Sequence, residues 1–198
     1  MEGKILHKAT ELFLIYGVKS VTMDDIAKEL AISKKTIYTF FSTKTRLVEA
    51  STSFLFEKIN SEILTICSFG HDPIKELFLV KSLVLKHLKN EETSPQYQLQ
   101  KYYPEIFESI KHKQFDVIND CICKNLKKGT DMGCYRKGLD VNLLSRFYFI
   151  GIMGIKNTEL FPKDKFSMPY LMENFLEYHI RAIATEKGIK SLQNLINR

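Results

Sequence analysis

The sequence contains no tryptophan, and only five prolines and nine glycines among 198 residues. Proline and glycine are the residues that helix interiors tolerate least, so their scarcity leaves room for long helices. It also excludes collagen-like and Gly/Pro-rich low-complexity chains. The four cysteines, Cys67, Cys121, Cys123 and Cys134, include no CxxC pair and no matching histidine spacing. A zinc framework is therefore not expected, nor any other metal or cofactor. Free thiols are the first reading, and a redox-sensing role is the lesser one. No stretch of about 18 uncharged apolar residues occurs, so no membrane span is expected. Met1 to Tyr16 is amphipathic and charged throughout, unlike a signal peptide. A cytoplasmic protein is the expectation. HExxH, GxSxG, P-loop and GxGxxG patterns are all missing, and the five histidines are scattered. No residue can be nominated as catalytic, and an enzyme is not expected.

What remains is charge and helical periodicity. Lysine and arginine number 29 against 23 acids, giving +6 and a pI of about 9.0. That bias mildly favours a polyanionic partner. Hydrophobic residues make up 44%, enough for one sizeable domain or two small ones. No internal repeat is visible.

The most informative stretch is Thr22 to Leu47. Thr22 and Asp25 have capping-box spacing, and Ile26, Ala27 and Leu30 give the following helix one apolar face. Ala31-Ile32-Ser33 is short enough for a turn only. Ser33 can cap a second helix, Lys34 to Phe40, which Ile37 and Phe41 orient inward. That arrangement leaves Lys34, Lys35, Thr36, Tyr38 and Thr39 outward. Two short helices across a tight turn predict a helix-turn-helix, whose second helix can enter the major groove of DNA. Lysines neutralise phosphates, and Thr and Tyr hydroxyls bond to phosphates or base edges. Lys28, Lys34, Lys35, Lys44 and Arg46 oppose the single acid Glu29 between Lys28 and Leu47, a surplus of four positive charges. The expected DNA-facing set is Thr22, Ser33, Lys34, Lys35, Thr36, Tyr38, Thr39 and Lys44.

This stretch resembles the TetR family of bacterial transcriptional regulators. Ile26-Ala27, Ile32-Ser33, Thr36-Ile37-Tyr38, Phe41, Lys44 and Leu47 match its N-terminal signature in order and spacing. Two positions depart: Ala31 stands where the family usually has Gly, and Lys35 where Gly is frequent. Close resemblance covers about the first quarter of the chain.

The remaining residues predict helices throughout. Residues 4–16 form one, closed by Gly17. A long helix runs from Thr43, capped by Ser42, to about Ser68, and Gly70 ends it. Asp72-Pro73 opens an apolar helix over 73–89, and a polar break follows at 90–94. A short helix reaches Tyr103, a long one spans 105–128 with Gly129 as its cap, and the last main helices cover 141–157 and 168–186. Gly188 ends the last of these.

The fold class is thus all-α: an N-terminal three-helix helix-turn-helix head over 1–47, joined by a long helix to a helical body over 48–198. The resemblance implies a ligand-responsive regulator, most often a repressor, with a double-stranded DNA operator and a small-molecule effector. It implies a pocket in the body, for which Phe78, Tyr102, Tyr103 and Phe107 are wall candidates and an apolar or amphipathic compound the expected occupant. It also implies a homodimer through the last two main helices, with Phe147, Gly151, Gly154, Phe175 and Tyr178 at the interface. The competing reading is a helical sensor or scaffold with little DNA binding.

Overall fold

The structure, a computed structural model, describes residues 1–88 and 95–196. The expected break at 90–94 lies outside the described residues. Among the described residues ten helices follow one another: α1 Glu2–Tyr16, α2 Met23–Glu29, α3 Lys34–Tyr38, α4 Lys44–Ser68, α5 Pro73–Leu88, α6 Pro95–Tyr102, α7 Pro104–Asp131, α8 Val141–Gly154, α9 Met168–Ile183 and α10 Glu186–Ile196. No described helix is long and apolar enough to cross a membrane.

The chain divides into two compact units. The first comprises Met1–Ser61 and His87–Lys113, the second Glu62–Lys86 and Gln114–Arg198. This cut falls elsewhere than the functional boundary expected after residue 47. Helices α4 and α7 each run through both units.

In the first unit, Ile5, Ala9, Phe13, Ile26, Ile37, Leu47 and Val48 close a core beneath α1 to α4. Leu99 of α6 and Phe107 of α7 are buried in that same core. Capping is local and legible. The Thr22 hydroxyl accepts the Asp25 amide at 3.2 Å, and the Asp25 carboxylate accepts the Thr22 amide at 2.8 Å. Thr43, rather than Ser42, caps α4, since its hydroxyl accepts the Arg46 amide at 3.1 Å.

The turn between α2 and α3 places Ala31 at φ 52°, the single left-handed residue other than glycine among those described. Such a backbone costs an L-residue on the order of 1 kcal/mol, which glycine avoids. Replacing Ala31 by Gly is expected to raise stability by about 0.5 kcal/mol, the strain relieved less the extra freedom glycine gains when unfolded. Urea unfolding of both forms checks this, and a lower midpoint for the variant would contradict it.

In the second unit, Ile74, Leu77, Ile122, Leu126, Tyr135, Leu176, Ile180, Ile183 and Leu192 form the core. A smaller cluster joins Ile155, Leu171 and Met172. The Asp72 carboxylate caps α5 through the amides of Ile74 and Lys75. A buried polar chain crosses the core. Asn125 donates to the Pro73 carbonyl and to Glu76, each at 2.8 Å, and accepts from the Tyr135 hydroxyl at 3.0 Å. Lys128 completes it with an ion pair to Glu76 at 2.9 Å. Each polar side chain of this network thus has a partner, as burial demands.

Several helix ends differ from expectation. Gly129 does not cap α7; the helix runs on to Asp131, and Gly133 at φ 71° turns the chain. Gly129 is instead the place where the Tyr135 ring lies against the helix backbone. Gly188 likewise lies inside a helix, α10, where any side chain would meet the Cys134 carbonyl. The actual break follows Ile183. There Arg136 donates its amide to the Ile183 carbonyl at 2.9 Å, and Thr185 donates to that of Cys134 at 3.0 Å. These bonds form a short antiparallel bridge, Tyr135 opposite Ala184.

Candidate nucleic-acid interface

Helix α3 is short, and its orientation is fixed from below. Ile37 is fully buried and Phe41 nearly so, which turns the opposite face outward. On that face Lys35, Tyr38 and Thr39 are exposed, and Thr36 is partly so. The Tyr38 ring is 43% exposed with no core to occupy.

Most expected contact residues already hold local bonds. Ser33 caps α3 by accepting the Thr36 amide at 3.0 Å, and its hydroxyl shares a 2.8 Å bond with that of Thr36. The Thr39 hydroxyl donates to the Thr36 carbonyl at 2.5 Å. Thr22 is the α2 cap described above. Hydrogen bonding to Thr22 holds the Asp25 carboxyl below its ordinary range. Lys34 pairs with Asp24 at 2.6 Å, and that bond raises its ammonium above the usual lysine value. An exposed pair of this kind contributes only about 0–1 kcal/mol, so a phosphate can compete for the lysine. Lys35 makes no ion pair among the described residues.

Lys44 sits differently from the rest. Its ammonium is partly buried and donates to the Lys19 carbonyl at 3.2 Å. Burial lowers its proton affinity, and the Asp25 carboxylate opposes that effect. Lys44 therefore ties the start of α4 to the loop between α1 and α2.

That loop carries residues that no sequence pattern selects. The Lys19 amide donates to Gln98 Oε1 at 3.1 Å, and its ammonium donates to the Tyr102 hydroxyl at 3.1 Å while standing 4.7 Å from the ring centre. That bond lowers the Tyr102 phenol below its ordinary value. Gly17, at φ 83°, admits the Gln98 side chain where any Cβ would collide with it. Helix α6 is thus clasped to the head. No local signal could have shown this, because Lys19 and Gln98 meet across 79 residues.

The four expected pocket residues do not converge within either unit. Phe107 is buried in the core of the first unit, Tyr103 packs against that core, and Tyr102 is at the surface on Lys19. Phe78 belongs to the second unit, packed against its core with the Lys81 ammonium 4.7 Å from its ring centre.

The expected dimer residues also divide. Phe147 is 56% and Tyr178 74% exposed, and Gly154 faces open space. Gly151 and Phe175 instead meet each other: the Phe175 ring lies on Gly151 and 5.4 Å from the Tyr148 ring. The close approach expected at Gly151 is made within the chain. Among the described residues no group of three His, Cys, Asp or Glu side chains could hold a metal.

Residues 5–51 match the bacterial regulatory proteins of the tetR family. The HTH-type transcriptional regulator YuxN of Bacillus subtilis is 31% identical over 90 residues, 43% of this chain and 31% of that protein. IcaR, a negative transcriptional regulator of the biofilm operon icaADBC in Staphylococcus aureus, is 36% identical over 64 residues, 32% of this chain and 34% of that one. The chain thus spans about a third of the length of these curated relatives. A transcriptional regulator from Saccharomonospora viridis, solved with choline, superposes with a TM-score of 0.70 at 20% identity, covering 93% of this chain and 98% of its own. That likeness establishes the shared fold over nearly the whole length. Residues 5–51 thus carry the N-terminal match of the tetR family on a helix-turn-helix of the expected geometry, within an all-helical fold shared with solved transcriptional regulators.

Proposed function

We propose that the chain is a ligand-responsive repressor that binds a two-fold DNA operator as a homodimer. In this reading residues 1–47 act as the DNA-binding domain and residues 48–198 as the ligand-binding and dimerisation domain. The observation that carries it is the outward face of α3, where Lys35 and Tyr38 are exposed above a fully buried Ile37. Thr36 and Thr39 flank them with hydroxyls already oriented by local bonds. Lys34 and Lys44 take phosphates at the edges of the groove, and the capped N-termini of α2 and α3 at Thr22 and Ser33 lie beside them. IcaR, the negative regulator similar over this segment, supports repression.

Lys44 provides the test of the phosphate role. Replacing it by Ala is expected to weaken binding to every duplex alike and to reduce the slope of log affinity against log salt by about one. Unchanged affinity and slope would remove Lys44 from the DNA contacts and leave it a clasp on the Lys19 carbonyl.

The effector reading rests on the second unit. Phe78, Leu79, Val80 and Leu83 of α5 are only half-buried there, which suits an apolar or amphipathic occupant beside that helix. The choline complex of the structurally similar regulator supports a small-molecule site in this fold. Tyr102, Tyr103 and Phe107 then act on the head, through the clasp on Lys19 and the shared core, rather than on the ligand. A ligand acts only through its differential affinity for the DNA-competent and DNA-released arrangements. Coupling is reciprocal, so operator DNA must weaken ligand binding by the factor by which ligand weakens operator binding. Titrating choline and a series of apolar amines with and without operator measures that factor, and equal affinities would remove the switch.

A further inference from the structure

The first unit carries a second basic surface that the α3 face does not include. Lys19, in the loop between α1 and α2, and Lys101, in the last turn of α6, flank one tyrosine. The Lys19 ammonium stands 4.7 Å and that of Lys101 5.7 Å from the Tyr102 ring centre. Lys101 is also 5.7 Å from the ring centre of Tyr97. Both lysines are exposed, and neither makes an ion pair among the described residues. Tyr97 and Tyr102 are 51% and 38% exposed, so neither ring is spent on the core. Residues 17–21 and 97–103, which build the patch, contain no acid. Two ammoniums beside one ring repel each other, and an anion between them would remove that cost. The patch is fixed to the head. Leu99 of α6 is buried in its core, and Gln98 accepts the Lys19 amide at 3.1 Å while filling the space above Gly17. The Lys19 carbonyl in turn accepts the Lys44 ammonium at 3.2 Å. The patch therefore begins one residue's length from the phosphate contact proposed at Lys44.

We infer that Lys19 and Lys101, with Tyr97 and Tyr102, bind the DNA backbone flanking the half-site that α3 contacts. The inference rests on the DNA-binding function proposed above. Each ammonium neutralises one phosphate and releases its counterion. The Tyr102 hydroxyl accepts from the Lys19 ammonium at 3.1 Å, which leaves its own proton to donate to a phosphate oxygen. No carboxylate stands in the patch to receive a cation, and its continuity with Lys44 makes duplex phosphate the occupant. These contacts carry no sequence information. They lengthen the bound stretch of DNA, strengthen the hold on any flanking sequence, and steepen the dependence on salt. Because α6 is clasped to the head, the flanking contact travels with α3 rather than apart from it.

The test uses the full chain and two duplexes that carry the same operator from its own promoter, bounded beforehand by footprinting. One ends at the outer edges of the half-sites; the other extends about ten base pairs further at each end, one helical turn. Affinity is measured against salt for both. The wild type should bind the extended duplex roughly 10–100-fold more tightly, with a steeper slope of log affinity against log salt. Lys101→Ala should remove about one unit of that extra slope per bound chain and leave the short duplex unchanged. Lys113→Ala, which removes an exposed lysine of α7 outside the patch, should change neither. Equal affinities and slopes of the wild type on the two duplexes would overturn the site. So would a Lys101→Ala protein that matches the wild type on both, or one weakened equally on both, since the latter marks a structural role. Binding of the wild type to neither duplex would overturn the DNA-binding function itself, and the short duplex keeps that failure distinct from failure of the patch.

Discussion

Replacing Phe147 and Tyr178 together by glutamate is expected to convert the protein to a monomer and to weaken operator binding by roughly 10²–10⁴-fold. On α8, Leu143, Phe147 and Ile150 follow the i, i+4, i+7 pattern of one helix face and are 47%, 56% and 63% exposed. On α9, Tyr170 and Tyr178 are exposed as well. Monomeric proteins rarely leave large apolar patches to water. A second copy presenting the same face would cover it, because a two-fold contact is self-complementary. Two glutamates per chain would bury four like charges there, which no partner offsets. Each chain would still bind one half-site, but the gain from holding both at once would vanish. Sedimentation gives the mass and a duplex titration the affinity. A variant that stays dimeric and bound would exclude this face. Gly151 makes a poor substitute target, since a larger residue there would strike Phe175 of the same chain and damage the fold.

Acid should destabilise the protein through His179. Its ring is 7% exposed, 4.9 Å from the Tyr148 ring and 6.3 Å from that of Phe175. Burial lowers its pKa from 6.5 to about 4. Below pH 6.5 the unfolded chain takes up a proton that the folded chain refuses. The stability is therefore complete above pH 6.5 and falls as pH drops towards about 4. The loss is about 2–3 kcal/mol over that window, since one unit is worth about 1.4 kcal/mol. His179→Phe keeps an aromatic ring in place and removes the titration. Urea midpoints of both proteins from pH 7.5 to 4 should diverge, with the wild type falling further. Parallel curves would show that His179 does not contribute.

What could be read from the sequence was what local chemistry determines. Thr22 with Asp25, Ser33 and Asp72 each cap a helix with a side chain two or three residues from its amide partner. Ala31, standing in the family's glycine position, does adopt the left-handed backbone that glycine would. Remote partners were not legible. Gly129 and Gly188 looked like helix ends because glycine usually marks one. Their actual neighbours, the Tyr135 ring and the Cys134 carbonyl, come from a turn that periodicity does not place. The placement of the aromatic quartet was not legible for the same reason. Helical spacing shows that Phe107 faces inward, but not that the core it enters is that of the head.

If the α3 surface reads a specific duplex, the protein must discriminate between DNA sequences. Affinity is measured at one physiological salt concentration for the protein's own promoter and for a scrambled duplex of equal length. At least about a thousandfold preference for the promoter is expected. Lys35→Ala or Tyr38→Ala, with helical content unchanged by circular dichroism, should reduce that preference by about 1–3 kcal/mol. Equal affinity of the wild type for both duplexes, or variants that discriminate as well as it does, would contradict it.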